Sequence, residues 1–279
     1  MIKRSYYSAR IGKFGQDSKI DFKVLKQLFL MSYKILDRGG YFQKYFGTDC
    51  TDGYMDGQLG DQIDAYLFIN LRKNGLYPVY ANLENYTEDD LFDMIEFLHD
   101  HCSKGVNGYY HNYNNCGHHY DEFNDLEGQK YFRELMNPIL QDYESGFEIS
   151  EKGEVLILSD NGLSNLFDAD IPTLQKENIS DKINFAIVKF RRHKATLENR
   201  KEAVRDLADV LEFLRPDIKR CLNKKDENDI FNIANNFGIR HHNAEQQNDY
   251  NKSIWYSWMF YYYLATLHAV LRMTKNKTF

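Results

Sequence analysis

The sequence predicts a mainly α protein: an N-terminal helical module with one small β-hairpin, then a C-terminal domain built from helices alone. Three observations carry this. Apolar residues recur at helical spacing through most of the chain. Proline is scarce, 4 in 279 residues, so few positions forbid a continuing helix. A single pair of short β-branched runs, joined by a turn, has the pattern of paired strands. The chain is 43% hydrophobic and 15% aromatic, which is enough for packed cores and excludes a disordered chain. A chain of this length accommodates two modest domains.

Asp21 opens the first helix, whose apolar positions Phe22, Leu25, Leu28, Phe29, Tyr33 and Leu36 share a face, and Gly39-Gly40 stops it. A second helix is expected from about Leu59 to Lys73, ended by Asn74-Gly75. Thr87 with Asp90 three residues later forms a capping box ahead of Leu91, Ile95 and Leu98. A further helix is expected over Gln129 to Tyr143. Phe147-Glu148-Ile149 and Val155-Leu156-Ile157, with Glu151-Lys152-Gly153 between, give the hairpin. The turn-rich stretch that follows is the best linker, so the predicted division is 1–158, a linker at 159–175, and 176–279.

Helices are then expected over Ile183 to Arg192 and Ala195 to Leu214, the latter burying Leu197, Val204, Leu207, Ala208, Leu211 and Leu214. Pro216 breaks or restarts the helix, and Asp226 is expected to cap a short one ending at Gly238. An aromatic helix from Ser253 to Met273 closes the chain. Its run Ile254 to Leu271 has nearly the length of a membrane span, but its hydroxyls, His268 and tyrosines predict a core or dimer-interface helix instead. No apolar stretch follows the basic N-terminus, so no signal peptide is evident, and a cytoplasmic location is the default expectation. Four cysteines in a chain of this size make no disulfide scaffold.

Charge is unevenly spread. Residues 1–150 carry 15 Lys+Arg against 23 Asp+Glu, a net of −8, whereas residues 151–279 carry 20 against 18, a net of +2. A polyanion is therefore expected on the second half. The acidic stretch Asn82–Glu127 would repel one. Walker-type loops, glycine-rich dinucleotide fingerprints and serine nucleophile elbows are missing from the sequence.

The densest chemistry lies at Arg240-His241-His242-Asn243, followed by Glu245, Gln246 and Gln247, between the last two helices. Packing does not demand such a run. Cleaving RNA without a metal needs a base for the ribose 2′-hydroxyl, a cation for the phosphorane and an acid for the leaving oxygen. Histidine exchanges protons near neutrality, and arginine offers a bidentate fork for phosphate. A solvated helix start whose polar residues cap and pair is the plainer explanation. Arg191 and Arg192 add a basic run that would hold an RNA backbone, or simply face solvent.

A second cluster comprises His99, His101, Cys102, His111, Cys116, His118 and His119. Cys102, His111, Cys116 and His118 or His119 would close a tetrahedral zinc site, and the sequence leaves open whether Cys50 lies near; the alternative is a polar loop that binds no cofactor. A catalytic metal there would make the chain a metal-dependent hydrolase. Tyr256, Tyr261, Tyr262 and Tyr263 at helical spacing are core or dimer contacts before they are base-stacking residues.

Residues 180–275, with the Arg-His joint before the last helix, resemble the HEPN superfamily, and the first half, with its Cys/His-containing segment and FEISEKGEV hairpin, resembles the N-terminal modules of bacterial abortive-infection proteins of the AbiJ kind. The resemblance implies a C-terminal HEPN-like four-helix domain that forms a homodimer and acts as a metal-independent endoribonuclease in antiphage defence or as a toxin. It also implies an antitoxin or phage-derived trigger as partner. Arg240 matches the motif arginine and His241 the polar residue after it. The motif's later histidine falls at Glu245, Gln246 or Gln247, none of which is histidine. Either His241 or His242 has taken over proton transfer, with Asn243 and Gln246 orienting substrate, or the domain is a non-catalytic RNA- or protein-binding module.

Overall fold

The computed structural model describes residues 7, 19–158, 164–167, 169, 171, 176–239 and 250–275. It is mainly helical and divides into two compact units, Met1–Ile157 and Leu158–Phe279, each with its own apolar core.

The first unit begins with α1 (Phe22–Arg38). The Asp21 carboxylate accepts the Val24 N–H at 2.8 Å, which satisfies one of the donors left open at the helix start. Leu25, Phe29, Tyr33 and Leu36 line its buried face, and Gly39 ends it. Short α2 (Gln43–Phe46) follows, then α3 (Ile63–Leu71), which begins four residues later than expected and ends where Arg72 turns left-handed. After α4 (Val79–Asn82) comes α5 (Glu88–Asp100), whose expected capping box is present in both directions. Helix α6 (Asp125–Leu140) starts four residues before the expected Gln129, since Asn124 accepts the Glu127 N–H and Asp125 and Glu127 suit the positive helix end.

Between α5 and α6 the structure corrects the sequence reading. The expected polar loop is an antiparallel hairpin, β1 (Lys104–His111) and β2 (Gly117–Asn124), with Tyr109 opposite His119 and His111 opposite Gly117. Its tyrosines favour strand, yet neither face is apolar, so the alternation that betrays a strand is absent. At Gly108 any side chain would strike the His119 carbonyl across the ladder. The expected second hairpin is present as β3 (Phe147–Ile149) and β4 (Val155–Ile157). Asn137 on α6 receives the Ile149 N–H at 2.8 Å, and Glu96 on α5 receives that of Val155 at 2.7 Å.

In the second unit, α7 (Ser164–Phe167) and α8 (Lys176–Arg191) precede α9 (Leu197–Phe213), which Thr196 and Asn199 open with a reciprocal cap. Helix α9 packs mainly on α8 and on α12 (Lys252–Lys275) through Ala203, Val204, Leu207, Ala208 and Leu211. Leu197, expected on the inner face, is largely exposed in the first turn. Pro216 restarts the chain as α10 (Arg215–Cys221). The cap of α11 (Lys224–Asn236) is Asn223 rather than Asp226, because its side chain reaches the N–H groups of both Lys225 and Asp226. Gly238, just past the helix, takes the left-handed conformation at φ 67°. Met259, Phe260, Tyr263, Leu264 and Leu267 of α12 are fully buried, and no helix among the described residues is long and apolar enough to cross a membrane.

Candidate functional site

Arg240, His241, His242, Asn243 and Gln246 lie outside the described residues. Ile239 is buried at the end of α11, and Asn251 opens α12 by accepting the Ile254 N–H. Tyr250 Oη donates to the Phe237 carbonyl at 2.9 Å, and their rings meet edge to face at 5.3 Å. Trp255 stacks on Phe237 at 5.0 Å, Trp258 meets Trp255 at 5.2 Å, and Tyr262 stacks on Trp258 at 5.5 Å. Trp258 remains 43% exposed, so this ladder of rings opens to solvent.

Of the two arginines expected to contact a polyanion, Arg191 is buried, with its guanidinium 5.0 Å from the Phe167 ring centre. A cation stacked on an aromatic face inside the unit is engaged in packing. Arg192 is the exposed one. His268 is buried on α12, where burial and the neighbouring Arg272 push its pKa down. Tyr256 and Tyr263 are core residues, whereas Tyr261 and Tyr262 are partly buried.

The second cluster forms in the first unit, with Cys50 in place of Cys102 and with His119, not His118, as the fourth member. Ligand atoms of Cys50, His111, Cys116 and His119 all lie within 4.8 Å of one another. Cys50 Sγ is 3.4 Å from His111 Nδ1, and Cys116 Sγ is 3.0 Å from His119 Nε2. Cys102 is not among them: its thiol donates to the Gly128 carbonyl at 3.3 Å, and burial pushes its pKa up to about 12. His118 is also elsewhere, exposed and stacked on Tyr120. The cause is strand geometry, since successive side chains point to opposite faces and only His119 shares the face of the cluster.

Three segments build the cluster. His111 ends β1, His119 lies in β2, and Cys116 sits in the turn between, where Asn114 and Gly117 both have positive φ. Cys50 comes from a loop after α2 whose base is closed by paired hydrogen bonds between Thr48 and Met55. Around this set, Asp52 Oδ2 lies 3.4 Å from His111 Nε2, the Asp52 N–H donates to Cys50 Sγ at 3.4 Å, and His119 Nδ1 faces Met55 Sδ at 2.8 Å. Partial desolvation and then the Cys50 thiol raise the Cys116 pKa above its ordinary value. Spacing within His111–His119 hints at the hairpin ligands; Cys50 is 61 positions from His111, and only the turn-forming Asp-Gly beside it marks a tight loop.

No family model, no curated protein and no solved structure matches this chain.

Proposed function

We propose that the chain is an antiphage-defence or toxin-type factor whose C-terminal helical unit binds single-stranded RNA and cleaves it without a metal ion, through Arg240-His241-His242-Asn243. The observation that supports this reading is the aromatic ladder from which that segment departs and to which it returns. Phe237 and Tyr250, bonded to each other, bracket it, and Trp255, Trp258 and Tyr262 extend the ladder along α12. Unpaired bases stack on such faces, and each stacked base contributes about 1–3 kcal/mol whatever its identity. A stacking surface next to an arginine and two histidines supplies base binding and phosphate chemistry from one stretch of chain.

In this mechanism one imidazole, His241 or His242, removes the 2′-hydroxyl proton, and the ribose oxygen attacks the adjacent phosphorus. Arg240 holds the phosphorane oxygens with two N–H groups, more strongly in the transition state than before it. A protonated imidazole delivers its proton to the departing 5′-oxygen, leaving a 2′,3′-cyclic phosphate. Asn243 and Gln246 orient the ribose and base, and Arg192 contacts the backbone. In a homodimer these groups are present twice.

The test is incubation of the full chain with transfer RNA and with total RNA, in magnesium-free buffer containing EDTA. Fragments ending in a cyclic phosphate, lost in Arg240→Ala and His242→Ala, are the expected result. Intact RNA that nonetheless quenches tryptophan emission identifies a non-catalytic RNA-binding module instead. Neither cleavage nor quenching overturns both.

A further inference from the structure

We infer that Cys50, His111, Cys116 and His119 bind one zinc ion, in a closed tetrahedral site that ties the β1–β2 hairpin to the loop after α2. The first argument is the donor set. Two thiols and two imidazoles converge within 4.8 Å. Zinc bonded at about 2.3 Å to sulfur and about 2.0–2.1 Å to nitrogen sets its ligands roughly 3.3–3.8 Å apart. Cys50 Sγ to His111 Nδ1 at 3.4 Å and Cys116 Sγ to His119 Nε2 at 3.0 Å are near that spacing, so small adjustments admit the ion. The absence of a carboxylate among the four selects against magnesium and calcium, which prefer oxygen.

The second argument is how the hairpin is held. Of its described side chains His119 alone is buried, at 2% exposure, and no hairpin residue joins the apolar core of the unit. A two-stranded ribbon without an apolar face is marginal in water. Burying an imidazole where an aliphatic side chain would serve packing better is costly, unless the ring has a partner stronger than the weakly bonding Met55 thioether and Cys116 thiol it faces. A metal bond to Nε2 is such a partner.

The surroundings match the ion as well. With Nδ1 of His111 on zinc, its Nε2–H points to Asp52 Oδ2 at 3.4 Å, the carboxylate–histidine–metal relation that orients a ligand ring. The Asp52 N–H directed at Cys50 Sγ stabilises a thiolate. Binding releases two thiol protons to solvent, so Zn2+ with two thiolates and two neutral imidazoles carries no net charge. Four protein ligands leave no position for water or substrate, and the ion is structural.

The experiment is elemental analysis of the full chain purified from zinc-supplemented cells, followed by replacement with cobalt(II). About one zinc per chain and the visible absorption of a tetrahedral cobalt thiolate are expected. Cys50→Ser and Cys116→Ser lose the metal, while Cys102→Ser and His118→Gln keep it. In the wild-type chain, Cys50 and Cys116 resist alkylation until a strong chelator is added, whereas Cys221 reacts throughout. Chelation lowers the melting temperature of the first unit by about 5 °C or more. A chain that neither carries zinc nor takes up cobalt overturns the site, as does a Cys50–Cys116 disulfide in the protein as isolated. Metal lost from the Cys102 and His118 variants but retained without Cys50 overturns the ligand assignment.

Discussion

Tyr250 Oη and the Phe237 carbonyl, 2.9 Å apart, close the base of the segment that carries Arg240 and both candidate histidines. The bond joins two residues 13 positions apart. It fixes the two residues that flank the segment, which lowers the entropy cost of closing the loop between them. Removing the hydroxyl in Tyr250→Phe leaves the ring in place and the carbonyl without this donor. The expected loss is about 1 kcal/mol of stability and, under the proposed function, slower RNA cleavage. Urea unfolding followed by tryptophan emission checks it, because both tryptophans of the chain, Trp255 and Trp258, belong to this ladder.

Trp258 separates stacking from chemistry. As the half-exposed ring of the ladder, it is replaced by alanine with little loss of core packing. Affinity for single-stranded RNA is expected to fall about tenfold, equivalent to about 1.4 kcal/mol. Fluorescence anisotropy with a labelled oligonucleotide measures this, and unchanged affinity would remove the ladder from the binding surface.

Phe260 tests the core that supports that ladder. It is fully buried and stacks on Phe190 with ring centres 4.0 Å apart. Phe260→Ala is expected to cost about 3–5 kcal/mol. Tryptophan emission should shift to the red at lower urea, while the zinc content of the first unit stays the same. A loss under about 1 kcal/mol would contradict this packing.

His101 gives the first unit a pH dependence. Its ring packs 4.3 Å from Phe97 among Tyr45, Phe46 and Tyr66, and Nδ1 donates to the Phe97 carbonyl at 2.7 Å. Burial depresses its pKa below the ordinary 6.5, with the Phe97 carbonyl and Asp100 offsetting only part of this. The folded form therefore favours neutral imidazole, and the unfolded chain takes up the proton first. Its contribution is complete above about pH 6.5 and is lost as pH falls through the depressed folded value. The urea midpoint of the first unit should fall between about pH 7 and pH 5, and His101→Phe should flatten that decline. Asp90 acts in a lower window. Desolvation raises its pKa, but hydrogen bonds from Lys73 and Thr87 outweigh this and hold it below the usual carboxylate value.

Cys102 is expected to be inert. With its thiol buried and its pKa pushed up to about 12, iodoacetamide at about pH 8.5 should modify Cys221 but not Cys102 in the folded chain. Peptide mapping by mass spectrometry checks this, and Cys102 should react once denaturant is added. Modification under native conditions would mean that the end of α5 opens readily.

Local chemistry made much of the fold legible. Asp21, the Thr87–Asp90 pair and Gly238 act within a few residues of themselves, and each marks a helix end where sequence logic puts it. Asp226 misled because Asn223, three residues earlier, competes for the same N–H groups and reaches two of them. Arg191 misled for a different reason. Its charge suggests solvent, but a guanidinium can lie on a ring, and Phe167, far off in sequence, supplies one.

The amino-acid order alone determined the mainly helical class, the helix ends marked by Asp21, Thr87 and Gly238, and that thiols and imidazoles crowd one segment. These properties depend on near neighbours and on side-chain chemistry. Tertiary structure decided which thiols and imidazoles meet. Strand pairing turned His119 inward and His118 outward, and the loop after α2 delivered Cys50 from 61 residues away, while Cys102 was taken into the core. A metal shell is set by distances in space, and chain spacing specifies those distances only within a single turn or hairpin.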